Sequence, residues 1–204
     1  MKLTVVKLGG SFAHHPRLRD IVRALERGAG HAVIVPGGGA FADAVRREQK
    51  RIGFNDRAAH RMALLAMAEF GYALASLSPM LEPAANRAAI GRALAAGQAP
   101  VWLPLDILAG RGDLPETWDL TSDSLALWLS ARLQAERMIF LKRGKLARSA
   151  ALAELVSAGV LDPLAPRFLA GTSAEAWLCG PRHLARLGDA LAMGSPVGRR
   201  IEVA

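Results

Sequence analysis

Two short apolar runs, each cut off by glycines, fall in the N-terminal quarter of the chain and limit its folding more than any other feature. Val5-Val6-Lys7-Leu8 runs into Gly9-Gly10-Ser11, and Ala32-Val33-Ile34-Val35 runs into Pro36-Gly37-Gly38-Gly39. Runs of this length, rich in Val and ended by glycine, read as buried strands. From Phe41 through Arg47 a helical pattern follows the second turn. If the two strands are parallel neighbours, both turns open at the same carboxyl edge, where open α/β sheets hold their ligands. Paired glycines let the backbone bend sharply and turn N–H groups outward, and Lys7 brings an ammonium to the same place. Donors of this kind suit a phosphate chain. A single such turn is also what an ordinary βα connection looks like. Two facing turns could hold two phosphorylated groups, or the two ends of one.

The rest of the chain alternates helical and strand patterns. A helix is expected from Pro16 to about Arg27, with Leu18, Ile21, Val22 and Leu25 on one face. A second spans 40–51. Asn55 can cap a third that starts near Asp56 and is apolar nearly all round from Met62 to Leu77. Such a helix is either core or a homodimer interface. Residues 78–110 read less clearly, with a helix from Asn86 or Arg87 to Ala96 and a short strand from Pro100 to Leu103. Thr121 or Ser122 can cap an apolar helix from Ser124 to Leu133, and Asp123 in its first turn suits the helix dipole. Further strands are expected at 138–141, 175–179 and near 199–203, with helices at about 150–157 and 182–191. The sum is an α/β fold: one domain, residues 1–204, built as a three-layer αβα sandwich around a mostly parallel sheet.

Composition excludes several classes. A hydrophobic fraction of 51% rules out a disordered chain. The most apolar stretch, Met62 to Leu81, is interrupted by Glu69, Gly71 and Pro79, so no membrane span is expected. The chain enters its first strand without a signal-peptide pattern, and Cys179 is its single cysteine. Both point to the cytoplasm, and Cys179 itself reads as a buried strand residue. The net charge of +8 favours anionic ligands. Nucleic acid is not expected, because the arginines are scattered and stacking aromatics are few. His14-His15 reads as a solvated loop rather than a metal pair, since adjacent residues project differently, and no metal ligands are expected.

Val5 to Ser11, Pro36 to Asp43 and Thr121 to Ser124 together resemble the motifs of the amino acid kinase superfamily, in order along the whole chain. The short length and the segments His60–Met67 and Thr121–Leu129 look most like the branch that phosphorylates aminomethylfuran-methyl phosphate in methanofuran biosynthesis. The resemblance implies an ATP-dependent kinase that uses ATP and Mg²⁺, with a small phosphorylated substrate as its partner and a homodimer or higher homo-oligomer as its assembly. It also implies site roles. Lys7 would neutralise the transferring phosphoryl group. Gly9, Gly10 and Ser11, with Thr121 and Ser122, would bind the ATP phosphates. Gly37, Gly38 and Gly39, with Asp43, would hold the acceptor, and Asp123 would orient the catalytic lysines.

The chain departs from that family at Leu141-Lys142-Arg143-Gly144-Lys145, where many members carry Thr-Asp-Val-Asp-Gly, and it has no lysine after Lys145. Lys142 is the expected replacement for the second catalytic lysine, with a solvated charge run as the other reading. Arg57, His60 and Arg61 crowd the start of the third helix. One or two of them, Arg57 and His60 foremost, are expected to grip the acceptor's phosphate jointly with the loop N–H groups of Gly37 to Gly39. The plainer alternative pairs the arginines with Asp56.

Overall fold

The computed structural model describes residues 2–109, 114–144 and 150–203. Within them one sheet has the strand order β3-β4-β2-β1-β5-β6-β7. The strands are β1 Thr4–Leu8, β2 Ala32–Pro36, β3 Leu81–Ala84, β4 Ala99–Trp102, β5 Arg137–Leu141, β6 Glu175–Cys179 and β7 Arg199–Arg200. β1 through β6 run parallel, and β7 closes one edge antiparallel. The helices are α1 Leu18–Glu26, α2 Gly39–Ile52, α3 Asp56–Ala75, α4 Arg87–Ala95, α5 Ser122–Leu133, α6 Leu152–Ser157, α7 Ala165–Ala170 and α8 Leu184–Met193.

Strand alternation sorts the core into two halves. Val5, Val33, Val35, Met138 and Phe140 face α4, α5, α6 and α7 through Ile90, Leu125, Leu155 and Leu169. Val6, Leu8, Ile34, Ile139 and Leu141 face the opposite layer, where Ile21, Leu25, Leu187 and Leu191 of α1 and α8 pack. The three-layer α/β sandwich expected from the alternation is therefore present. β1 lies between β2 and β5, with α1 covering one face and α5 the other. The strand order turns back at β1, and a crevice opens at the carboxyl ends of the strands there. α3 crosses this end of the sheet: Leu64 and Met67 join one core half, and Phe70 and Leu74 join the other.

Two elements were not expected, and the differences are local. β3 carries Pro83, which argues against a strand, but β3 is at the sheet edge, where a missing N–H is tolerated. α7 is six residues long with Pro166 in its first turn, too short to show a helical period. Pro16 does not begin α1, which starts at Leu18 after a 3₁₀ turn over Gly10–His14. Cys179 is buried in β6, as expected. No helix among the described residues is long and apolar enough to cross a membrane.

Candidate active site

The two glycine turns meet backbone to backbone. The Gly9 N–H donates to the Leu141 carbonyl at 3.0 Å, and the Gly37 N–H donates to the Leu8 carbonyl at 2.8 Å, which ties each turn to the neighbouring strand. A Cβ on Gly10 would lie 2.1 Å from the Gly39 nitrogen, and one on Gly37 would lie 2.5 Å from the Gly10 nitrogen. Gly39 also has φ +54°, a left-handed conformation that disfavours a side chain. Glycine is thus required by contact as well as by conformation.

Beneath the turns sits a buried charge cluster. Alternation along β1 directs Lys7 to the α5 face, while Lys142 follows β5, the adjacent strand. Asp123 is the second residue of α5. Its carboxylate meets the Lys7 ammonium at 2.8 Å and accepts a hydrogen bond from Lys142 Nζ at 2.7 Å. Lys7 and Asp123 are only 5% and 4% exposed. Burial alone would raise the Asp123 carboxyl. The two ammonium groups outweigh this and hold it below the usual carboxylate range. Burial and then the neighbouring Lys7 charge pull Lys142 down to about 8, although Asp123 opposes them. Two ammonium groups on one carboxylate leave a positive charge unbalanced in a dry place, and an incoming phosphate would satisfy it.

Beside the turns opens a cavity of about 440 Å³, bordered by Ser122 and Arg143, the chain neighbours of Asp123 and Lys142, though not by the three charged residues themselves. Gly10 and Gly37 to Gly39 border it, α3 and α5 supply Leu64, Met67 and Leu125, and Trp118 closes one side. The indole N–H of Trp118 donates to Gln49 Oε1 at 2.7 Å, and the Arg46 guanidinium lies 4.4 Å from the ring centroid. Arg46 also pairs with Asp43 at 3.0 Å. His60 lines the cavity and is buried, and its Nε2 has no hydrogen-bond partner. Burial lowers its pKa, partly offset by a hydrogen bond with the Thr117 backbone and by Glu116, so the ring is neutral at pH 7.

Residues 2–144 match the amino acid kinase family. The chain belongs to that family. Among relatives of known role, it is 27% identical over 137 residues to the [5-(aminomethyl)furan-3-yl]methyl phosphate kinase of Methanocaldococcus jannaschii, a match covering 66% of this chain and 63% of the relative. Among solved structures it superposes on the uridylate kinase of Archaeoglobus fulgidus with a TM-score of 0.74 and 19% identity, covering both chains completely. An isopentenyl phosphate kinase gives a TM-score of 0.62 at 19% identity, over 98% of this chain and 100% of the other.

In this amino acid kinase several expected site residues stand together: Lys7, Asp123 and Lys142 in the ion cluster, and Gly10, Ser11, Gly37, Gly38, Gly39, Asp43, His60, Thr121 and Ser122 around the cavity. Three differ from expectation. Gly9 is buried outside the cavity lining, and its N–H is spent on the Leu141 carbonyl at 3.0 Å. Arg57 is drawn away from the cavity by Glu116, which holds it at 2.7 Å and Arg61 at 3.0 Å. The arginines therefore have a carboxylate partner already, and it is Glu116 rather than Asp56. Thr121 borders the cavity, but its N–H and hydroxyl both donate to Asp162, at 3.0 and 2.8 Å. Those two donors are unavailable to a phosphate. Asp162 and Glu116 were missed because each acts on residues far from it in sequence. Arg46, Trp118 and Arg143 also border the cavity without having been expected there. Arg143 Nη1 donates to the Ser11 carbonyl at 3.3 Å. Lys145 lies outside the described residues.

No three His, Cys, Asp or Glu side chains among the described residues are grouped to hold a metal ion. Asp123, the carboxylate deepest in the site, is occupied by two ammonium groups. A Mg²⁺ ion would suit this site as part of the nucleotide, held on its phosphate oxygens, rather than in a protein cage.

Proposed function

We propose that this amino acid kinase transfers the γ-phosphoryl group of ATP to a small phosphorylated acceptor of the class represented by [5-(aminomethyl)furan-3-yl]methyl phosphate. The observation that carries this reading is the buried Lys7–Asp123–Lys142 cluster at the joint of two glycine turns. An oxygen of the acceptor's phosphate attacks the γ-phosphorus. The bond from that phosphorus to the β–γ bridging oxygen breaks, and ADP leaves with the electron pair. Charge accumulates on the transferring oxygens and on ADP, so the protein's task is positioning and neutralisation. Lys7 and Lys142 neutralise, and Asp123 keeps the two ammonium groups from drifting apart. Gly10, Ser11 and Ser122 face the ATP phosphates, and Gly37 to Gly39 cradle the acceptor.

His60 supports a phosphate on the acceptor. A buried imidazole nitrogen without a partner is costly, and a phosphate oxygen would supply one, because an incoming dianion favours the protonated ring, whose Nε2–H then donates to it. The apolar walls favour a small ring or hydrocarbon over a sugar, and the volume fits one such group with its phosphate. A cytoplasmic setting, where ATP is supplied, belongs to the same proposal. So does self-association through α3, whose outer face exposes Met62, Leu65 and Tyr72.

Steady-state kinetics with [5-(aminomethyl)furan-3-yl]methyl phosphate, isopentenyl phosphate, UMP and acetylglutamate test the acceptor class. A phosphomonoester should be the best acceptor, and His60→Ala should raise its KM by about ten-fold, the loss of one hydrogen bond to a charged group. A clear preference for acetylglutamate would replace the proposal with a carboxylate kinase. ATP binding without turnover of any acceptor would leave a nucleotide sensor.

A further inference from the structure

The first turn of α5 has backbone N–H groups that no helical carbonyl can satisfy. Thr121, its N-cap, makes no side-chain cap of its own. Asp162 comes in instead from the connection between α6 and α7. One of its oxygens accepts from Thr121 N at 3.0 Å, Thr121 Oγ1 at 2.8 Å and Ser124 N at 3.0 Å. Its other oxygen accepts from the Ser124 hydroxyl. Asp162 is only 7% exposed, and its negative charge sits where the helix dipole favours it. Asp123 lies between the two residues that Asp162 grips.

We infer that Asp162 is a positioning residue for phosphoryl transfer: it pins the first turn of α5 so that the Asp123 carboxylate reaches Lys7 and Lys142 together. The inference rests on reading those three residues as the catalytic centre. Asp123 touches the two ammonium groups at 2.8 and 2.7 Å, from strands β1 and β5. A shift of the turn by about 1 Å would lengthen at least one contact, and errors of that size can cost about a hundred-fold in rate. A cap of stability alone would need no second residue pinned. Here Thr121 and Ser124 are both held, one on each side of Asp123, through backbone and hydroxyl alike.

The test is steady-state kinetics of Asp162→Asn, Ser124→Ala, the double variant and Asp123→Asn, with ATP and whichever of the four acceptors turns over fastest. Asp162→Asn should lower kcat by about ten- to a hundred-fold while the KM for each substrate stays within about two-fold. Ser124→Ala should lower kcat less, and the double variant should be no worse than Asp162→Asn, because the two residues act through one contact. A melting temperature that falls while kcat per folded molecule stays at the wild-type value would overturn the inference. If Asp162→Asn does not fold, Ser124→Ala decides, and an unchanged kcat in that variant overturns it equally. Full activity in Asp123→Asn would remove the centre itself, and this inference with it. Inactive Asp123→Asn beside fully active Asp162→Asn would remove only the positioning role.

Discussion

At Lys142, burial and the adjacent Lys7 charge bring the ammonium down to about 8. The proton is therefore lost as pH rises through that value, and the site loses one of the charges that attract phosphate. For the free enzyme, kcat/KM should fall on the alkaline side with a midpoint near pH 8. Bound nucleotide favours the charged lysine, so the same limb in kcat should lie at higher pH. Lys142→Arg keeps its charge throughout and should abolish the limb. A flat kcat/KM from about pH 7 to 9.5 in the wild type would show that Lys142 does not act as a cation there. Lys7 and Asp123 could be picked out from the sequence because each sits beside a local signature, a strand ending in glycines or a helix start. Lys142 could be picked out only as the lysine left at a strand end. Asp162 and Glu116 could not, because a carboxylate's partner is set by tertiary packing. Asp162 serves Thr121 across 41 residues and Glu116 serves Arg61 across 55.

Among the elements, the paired turns are the least tolerant of change. Gly10→Ala places a methyl 2.1 Å from one backbone atom of Gly39 and 2.5 Å from another, and neither belongs to a side chain that could swing aside. The turns must part, so ATP binding measured by calorimetry should weaken by at least about ten-fold, with a lower melting temperature. Gly91 in α4 is the contrast, because a Cβ there meets nothing within 4 Å. Gly91→Ala should leave ATP binding intact and add about 0.5–1 kcal/mol of stability. Equal effects from the two changes would mean that close approach of the turns is unimportant. The turns were legible because glycine clusters after Val-rich runs have few other uses. The N-terminus of α5 was placed nearly correctly, but for the wrong reason: Thr121 starts the helix while its hydroxyl caps nothing. Pro83 hid β3, since only the strand's position at the edge, which no local pattern reveals, makes a proline acceptable there.

Across the whole molecule, α3 shows two of its sides to different surroundings. One crosses the sheet end, while Met62, Leu65 and Tyr72 stand 39%, 45% and 54% exposed at helical spacing on the outside. With self-association through this face, light scattering should find wild-type homodimers or larger assemblies, and Leu65→Glu with Tyr72→Glu should give monomers that remain folded. A wild type that stays monomeric at micromolar concentration would remove the assembly from the proposal. The apolar surround of α3 was visible in sequence, but which of its sides is covered depends on where the sheet ends.

The central place of β1 has a consequence in time. Its partner β5 joins it at Thr4 and Arg137, 133 residues apart, where the Arg137 guanidinium also donates to the Thr4 hydroxyl at 3.1 Å. A ribosome adding roughly 5–20 residues per second finishes β5 on the order of ten seconds after β1 has been made. Throughout that interval β1 has only β2 beside it and one row of its backbone groups lacks a strand, and for most of it Lys7 has no Asp123 to meet. Pairings this distant are slow to close and leave strand edges open meanwhile. During synthesis, the strand on which this molecule is centred is thus the first made and the one that waits longest for its second neighbour.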